Sequence, residues 1–190
     1  MPRWEPDARL RLVSAALDLF TEQGYDDTTV AQIAERAGLT KSTFFRHFPD
    51  KRELLVAGQD ALSRLLAEGV ASAPEDATPL AAVGAGLEAA AGGLTPLNRE
   101  LGAKVGAAIA ASAELQERDA LKRVGLAAAL TEALRARGVS DMTASLAAEL
   151  GVLAFKTAYA RWSEPDNEKE LSVLARESLR DLYAASAKLG

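Results

Sequence analysis

The sequence has no cysteine and only one histidine, and these two absences exclude several kinds of site. Without cysteine the chain can form no disulfide, thiolate-bound zinc site or cysteine nucleophile. A single histidine, His47, is too few for a histidine-rich metal cluster or for most catalytic arrangements that use histidine. No paired carboxylates, glycine-rich phosphate loop or metal-ligand spacing stands out along the chain. We therefore expect no enzyme, no metal and no cofactor.

Long hydrophobic runs are also missing. The longest uncharged run, residues 77–87, is rich in alanine and glycine and is shorter than the ~18 apolar residues of a membrane span. The first residues contain no apolar core of a signal peptide. The sequence thus predicts a cytoplasmic protein with no membrane partner. With 190 residues, of which 48% are hydrophobic and 26% charged, it has an ordinary globular composition.

Neither positive nor negative residues are in large excess over the whole chain, but they are unevenly distributed along it. The net charge is −5, which argues against a uniformly basic surface. Between residues 36 and 52, however, five basic residues stand against one acidic residue, a local balance of +4. This segment is either a surface for phosphate groups or a solvated charged face.

Helical periodicity and capping residues predict an all-α protein with nine helices. Thr29 and Gln32 form a capping-box pattern, and Thr78-Pro79 is an N-cap followed by proline in the first turn. Asp50 with Glu53 predicts a further capping box that opens one long helix through residue 72. Gly38 lies at the end of a short helix that precedes a second short one.

Aromatic residues are scarce, 5% of the chain, and none lies between Pro49 and Ala154. An amino-terminal unit with its own aromatic core therefore precedes an alanine- and leucine-rich helical bundle. We place the boundary at residue 50, so that residues 1–50 form the first unit and residues 51–190 form the second.

Residues 28–51 carry the pattern of a helix-turn-helix, TTVAQIAERAGLTKSTFFRHFPDK. Ile33 and Ala34 give the first helix an apolar face, and Phe44 and Phe48 do the same for the second. In such a motif the second helix enters the major groove of DNA. A small three-helix bundle with a merely solvated basic face is the alternative.

The remaining face of the second helix is suited to DNA. Ser42 and Thr43 can reach base edges, whereas Lys41, Arg46 and Lys51 can pair with phosphates. An exposed Phe45 can rest on a thymine methyl or a sugar. Backbone amides at the helix start near Thr29 offer an anion site. For His47 there are two alternatives, a contact with a phosphate and a structural role within the protein.

The sequence at this point resembles the TetR/AcrR family of transcriptional regulators. The matching runs are AALDLFTEQGYDDTTV from Ala15, AQIAERAG from Ala31 and TKSTFFRHFPDK from Thr40. The resemblance implies a three-helix helix-turn-helix domain followed by a six-helix domain for ligand and dimerisation. It implies operator contacts at these positions: Thr29, Lys41, Ser42, Thr43, Phe45, Arg46, His47 and Lys51. Many members have tyrosine where this chain has Phe45, so a hydroxyl-to-phosphate bond is absent here.

Two-fold pairing would set two recognition helices ~34 Å apart, one turn of duplex, on a palindromic operator. The last two helices carry apolar stripes that predict a dimer interface or, alternatively, an intramolecular core. The residues of these stripes are Val152, Phe155, Tyr159, Leu171, Leu174, Ser178 and Leu182. The family resemblance implies a four-helix bundle between subunits.

A ligand site is expected among the middle helices, where small residues either allow close packing or leave a channel. Because aromatic residues are few there, we predict an aliphatic effector. The carboxy-terminal half is similar to regulators that sense fatty acyl groups, and this resemblance implies an acyl-type effector. The candidate lining residues are Leu87, Ala107, Phe155, Tyr159 and Trp162. The sequence thus predicts a ligand-responsive, homodimeric repressor that binds double-stranded DNA. A helical carrier of lipids or small molecules, with an amino-terminal interaction module, is the alternative.

Overall fold

A computed structural model describes residues 8–55 and 57–189, and these residues are all-α, as predicted. Within this part of the chain there are nine α-helices and one short 3-10 helix, Lys51–Leu54. The α-helices are α1 (Ala8–Gln23), α2 (Val30–Arg36), α3 (Lys41–His47), α4 (Gln59–Ser72), α5 (Pro79–Gly92), α6 (Pro96–Ala111), α7 (Ala113–Ala136), α8 (Asp141–Trp162) and α9 (Leu171–Ser186).

Local capping explains where several helices begin. The Thr29 hydroxyl accepts a hydrogen bond from the Gln32 amide, and the Gln32 side chain accepts one from the Thr29 amide, which confirms the capping box. Thr78 caps α5 in front of Pro79, through a bond from the Ala81 amide. These helix starts depend on groups only three residues apart, so the sequence alone predicts them.

The prediction of one helix from residue 51 to residue 72 was wrong. Asp50 accepts hydrogen bonds from the amides of Arg52 and Glu53, but the helix that it opens is a 3-10 helix of four residues. Gly58 then adopts φ +85° and serves as the N-cap of α4. A residue with positive φ interrupts a right-handed helix, and glycine adopts this conformation without a Cβ clash. The helical conformation is therefore interrupted at Gly58, before α4 starts.

The described residues form two compact units, and each has its own packing. The first unit comprises the residues up to Ala57 together with Ala103–Ala120, that is, the second half of α6 and the first third of α7. Its core is aromatic and aliphatic, and its largest fully buried side chains are those of Leu12, Ile33, Phe44, Phe48 and Leu115. The functional boundary that we placed at residue 50 stays a prediction.

Charged and polar side chains join residues 103–120 to α1, to the loop that follows α1 and to the 3-10 helix within this unit. Lys104 forms an ion pair with Asp18, and Arg118 forms one with Glu53. The Tyr25 hydroxyl donates to a Glu114 carboxylate oxygen at 3.0 Å. Burial and this bond to Glu114 raise the pKa of Tyr25.

The second unit comprises Gly58–Gly102 and the residues from Leu121 onward. Here α4 packs on α5, α5 packs on α8 and α9, and α8 packs on α9. Some of the small residues allow very close contact: a Cβ on Gly69 would lie 2.6 Å from both the Ala85 oxygen and the Gly86 Cα. At this crossing, close packing is therefore the reason for the small residues.

No single helix among residues 8–55 and 57–189 has the length and apolarity to cross a membrane; the bent pair of α5 and α6 passes that test only when both are counted together.

Candidate nucleic-acid interface

Helices α2 and α3 and the turn between them form a helix-turn-helix within the first unit. Ile33 and Ala34 on α2 and Phe44 on α3 are buried, and so is Phe48, which follows α3. The Thr40 hydroxyl caps α3 through a bond from the Thr43 amide at 3.1 Å. The apolar sides of both short helices therefore face the protein core, and this leaves the opposite side of α3 toward solvent.

The turn is held from two directions. Gly38 has φ +65°, and the Leu39 amide donates to the Ala34 oxygen at 2.8 Å. From α1, the Arg11 guanidinium donates to the Ala37 oxygen. Because the turn is bonded to both α1 and α2, the direction in which α3 leaves it is constrained.

The solvent-facing side of α3 presents Lys41, Ser42, Phe45 and Arg46, all of which are exposed. The Phe45 side chain is 49% exposed although it is a large hydrophobic group. Its ring packs edge-on against Phe44, with centroids 5.5 Å apart, and the Lys41 ammonium lies 5.9 Å from its centroid. The surface thus combines three kinds of group. The two cations can pair with phosphates, the hydroxyl can contact base edges, and the apolar ring can contact a thymine methyl.

Thr43 and His47 are only half-buried neighbours of this surface. The Thr43 hydroxyl lies 2.9 Å from the Thr40 hydroxyl and accepts a bond from Arg46 at 3.3 Å. The Thr43 hydroxyl is thus engaged with the first turn of α3 and with Arg46. A base contact by Thr43 and a phosphate contact by His47 stay predictions.

Two of the predicted DNA contacts are engaged within the protein. The Thr29 hydroxyl takes part in the capping box with Gln32, where its oxygen also lies 2.9 Å from the Gln32 side-chain oxygen. The Lys51 ammonium donates to the main-chain oxygens of Tyr25, Asp26 and Thr28 and lies 4.0 Å from the centre of the Tyr25 ring. Sequence reasoning missed this role of Lys51, since its partners lie more than twenty residues away.

The outward positive charge is smaller than the sequence indicates. Arg36 pairs with Glu22 through two hydrogen bonds of 2.8 and 2.7 Å. Arg52 pairs with Asp50 at 2.7 Å, and its hydrogen bond lowers the pKa of the Asp50 carboxyl. With Lys51 engaged as well, Lys41 and Arg46 are the two of the five basic residues in this segment that project from α3.

The residues predicted to line a ligand site divide between the units. Leu87, Phe155 and Trp162 are buried in one core cluster of the second unit, and Tyr159 packs against it. The Tyr159 hydroxyl donates to the Asn98 oxygen at 2.7 Å, and burial raises its pKa to about 12. Ala107 is exposed and belongs to the first unit, so the structure does not group it with the other four.

The residues predicted at a dimer interface line the interior of the second unit. Tyr159 and Leu182 are half-buried and the other five are buried: Val152, Phe155, Leu171, Leu174 and Ser178. The stripes are thus the intramolecular core that the sequence left open as an alternative. The large hydrophobic residues that α8 exposes are instead Met142 (84%), Leu146 (62%) and Leu153 (47%). A dimer interface itself stays a prediction.

Comparison with known proteins agrees with the helix-turn-helix. The family model for bacterial regulatory proteins of the tetR family matches residues 12–57. The transcriptional regulator TcmR of Streptomyces glaucescens is 37% identical over 84 residues, which are 44% of this chain and 37% of TcmR. The chain spans 24–38% of the length of the first curated relatives that it matches.

Solved structures share the fold over nearly the whole chain. A transcriptional regulator of Aquifex aeolicus matches with a TM-score of 0.53 and 22% identity, over 94% of this chain and 99% of that one. The transcriptional regulator FadR of Bacillus subtilis, solved with stearoyl-CoA, matches with a TM-score of 0.55 and 17% identity, over 91% and 96%. These matched proteins are transcriptional regulators, which agrees with the expectation that the chain is no enzyme. From the family match, the related regulators and the observed helix-turn-helix, residues 12–57 are similar to the DNA-binding region of the tetR family of bacterial regulatory proteins.

Proposed function

We propose that this protein is a transcriptional repressor that binds a palindromic operator as a homodimer and is released by a small aliphatic ligand. The observation that carries the proposal is the outer side of α3, where Lys41, Ser42, Phe45 and Arg46 are exposed while Phe44 is buried. A helix held in this way by a helix-turn-helix can enter the major groove with its polar side toward the bases.

Roles within this surface differ. Lys41 and Arg46 are placed to neutralise phosphates, which gives affinity without sequence preference. Ser42 in the first turn and the ring of Phe45 are placed to contact base edges, which gives sequence preference. The operator complex therefore combines a salt-dependent contribution from two cations with a sequence-dependent one from a hydroxyl and a ring.

Selection of binding sites from random duplex DNA tests the proposal, followed by titration of the selected duplex at several salt concentrations. We expect a palindrome. Arg46→Ala should weaken binding to all sequences and lower the salt slope by about 0.9, whereas Ser42→Ala should mainly relax the sequence preference. Arg64→Ala is the matched control, since Arg64 is exposed on α4 and pairs only loosely with Glu68, at 3.9 Å. Salt slopes equal to wild type in Arg46→Ala would contradict the assignment.

The exposed apolar residues of α8 support pairing of two copies through the outer face of this helix. Met142, Leu146 and Leu153 recur at intervals of four and seven residues, and this spacing places them along one side of a helix. Leu146→Asp with Leu153→Asp should convert a dimer to a monomer in sedimentation and abolish tight operator binding. A double variant that still sediments as a dimer would exclude this face.

The ligand proposal has two supports. The core of the second unit has few aromatic groups beyond Phe155, Tyr159 and Trp162, which disfavours recognition of a flat aromatic molecule. A protein of the same fold, FadR of Bacillus subtilis, was solved with stearoyl-CoA. Titration with acyl-CoA of several lengths and with planar dyes tests the ligand class; binding of the dyes alone would contradict an aliphatic ligand.

Release requires that the ligand prefer a conformation unsuited to DNA. A shift from 1:99 to 99:1 between two conformations needs ~5.5 kcal/mol of differential affinity. An acyl-CoA that releases the operator duplex in an anisotropy titration supports repression with induction. A protein that binds acyl-CoA but never binds duplex DNA would instead be a carrier.

A further inference from the structure

The Lys51 ammonium group lies among main-chain oxygens and not on the outer side of α3. Its Nζ donates to the oxygen of Tyr25 at 2.7 Å, to that of Thr28 at 3.1 Å and to that of Asp26 at 3.4 Å. An ammonium group has three N–H bonds, and these three acceptors use all of them. A phosphate contact by Lys51 would require that one of these bonds be broken.

Lys51 lies near one end of the helix-turn-helix in the sequence, and the oxygens that it binds lie near the other end. Residues 25–28 lead directly into α2, and Lys51 follows α3 by only a few residues. The side chain therefore joins the two ends of the helix-turn-helix, across 26 residues to Tyr25 and 23 residues to Thr28. Both α2 and α3 have only seven residues, and helices this short depend on contacts outside themselves for their orientation.

The loop that Lys51 binds is itself well anchored. The Tyr25 ring packs edge-on against Phe20 of α1, with centroids 5.1 Å apart, and also lies under the Lys51 ammonium. The Thr28 hydroxyl donates to the Gly24 oxygen at 2.6 Å. A cation bound to this loop is thus connected to α1 through the Tyr25 ring, so its loss would remove one connection of the end of α3 to α1 and to the loop before α2.

We propose that Lys51 is a positioning residue: it closes the helix-turn-helix and sets the orientation in which α3 meets DNA, without itself contacting a phosphate. This inference rests on the proposed function, and it reassigns one residue of the predicted operator contact. Lys41 and Arg46 keep the phosphate role.

Arginine separates the two roles. A guanidinium carries its N–H groups in one plane and pairs well with a phosphate, but it cannot direct three N–H bonds from a single nitrogen at three carbonyl oxygens. Lys51→Arg therefore keeps the charge and the capacity for a phosphate contact and removes the tripod of bonds. If Lys51 positions α3, arginine cannot perform its role. If Lys51 binds a phosphate, arginine can.

The experiment measures operator affinity of the full-length protein against salt for wild type, Lys51→Arg, Lys51→Met and Lys41→Met. We expect Lys51→Arg to bind the operator about 10-fold more weakly than wild type, with an unchanged salt slope. The titration is carried out at a temperature well below the unfolding midpoint of the variant. Lys41→Met is the reference for a lost phosphate, with a slope lower by about 0.9. Wild-type affinity of Lys51→Arg, or a drop of slope in Lys51→Met as large as that in Lys41→Met, would overturn the inference.

Amide hydrogen exchange of the free protein tests the closure without DNA. The Thr28 amide donates to the Tyr25 oxygen at 3.2 Å, and the Ile33 amide donates to the Thr29 oxygen at 3.1 Å. Lys51→Met should speed exchange at both, and leave the Ala82 amide in α5, bonded to the Thr78 oxygen at 2.9 Å, unchanged. Unchanged exchange at Thr28 and Ile33 would overturn the closure even if the protein bound no operator, so the two proposals fail separately.

Discussion

The two units of the chain are stabilised by different means. The first unit packs aromatic rings such as Phe20, Tyr25 and Phe44 around short helices and uses side chains to bind main-chain oxygens. The second unit packs longer helices whose backbones approach at glycine and alanine, as at Gly69 and Gly86. The first is thus sensitive to loss of individual large side chains and bonds, and the second to any increase in volume at the helix crossings.

This difference agrees with the proposed roles of the units. A DNA-binding surface needs a fixed orientation of α3, and separate side-chain bonds from Arg11 and Lys51 supply it. In a unit that responds to a ligand, the distance between helices must change when the ligand lies between them. Close backbone contacts make this distance sensitive to small changes in volume.

The largest effect is expected at the aromatic core of the first unit. Phe44→Ala removes a fully buried ring and should lower the free energy of unfolding by about 3–5 kcal/mol. The adjacent Phe45→Ala is the control: because Phe45 is exposed, its stability should change by less than about 1 kcal/mol while operator affinity falls. Urea titrations of both variants measure this, and equal losses of stability would contradict the assignment of the two faces of α3.

A smaller effect, with a sign that depends on the site, is expected for glycine replacements. Gly69→Ala places a Cβ 2.6 Å from the Ala85 oxygen and the Gly86 Cα, and should destabilise the protein by about 2 kcal/mol. For Gly106→Ala no atom lies within 4 Å of the new Cβ, so helix propensity should stabilise the protein by about 0.5–1 kcal/mol. Thermal unfolding of the two variants shows whether each replacement stabilises or destabilises the protein. Stabilisation by Gly69→Ala would show that the crossing is not tightly packed.

The smallest effect on stability at neutral pH is expected for two tyrosines, whose contribution changes only at alkaline pH. The pKa of Tyr159 in the folded protein is raised to about 12 from 10.0 by burial. Its neutral phenol therefore contributes full stability below pH 10, and this contribution is lost as the pH rises from about 10 to about 12.

Tyr159→Phe should make the unfolding free energy less dependent on pH in that range, at the cost of the bond to Asn98, about 1 kcal/mol. Tyr25→Phe should reduce the dependence further, since the pKa of Tyr25 is also raised by burial. Denaturant titrations at several alkaline pH values measure both changes. A steeper dependence in Tyr159→Phe would contradict the direction of the shift.

Sequence patterns predicted the features that depend on near neighbours. The capping box of Thr29 and Gln32, the cap of α5 at Thr78 and the turn glycine Gly38 all involve bonds or angles within a few residues. Periodicity correctly separated the buried Phe44 from the exposed Phe45. The helix-turn-helix followed from these local features together.

Patterns did not predict the break at Gly58, because a glycine inside a helical pattern is compatible with a helix interior as well as with a break. They also did not predict that residues 103–120 pack with the first unit, where Lys104 pairs with Asp18. The apolar stripe that contains Val152 fits a core and a dimer interface equally well, since both bury the same kind of side chain.

By itself, the sequence determined that this chain is helical, where most of its helices start, and that α2 and α3 form a helix-turn-helix, in a region that matches the tetR family model over residues 12–57. Only the tertiary structure decided which cations face outward, since Lys41 and Arg46 project from α3 while Lys51 binds the loop before α2. The physical reason is the range of the interactions. A helix cap is satisfied three residues away, whereas the partners of a long charged side chain are set by what packing brings beside it.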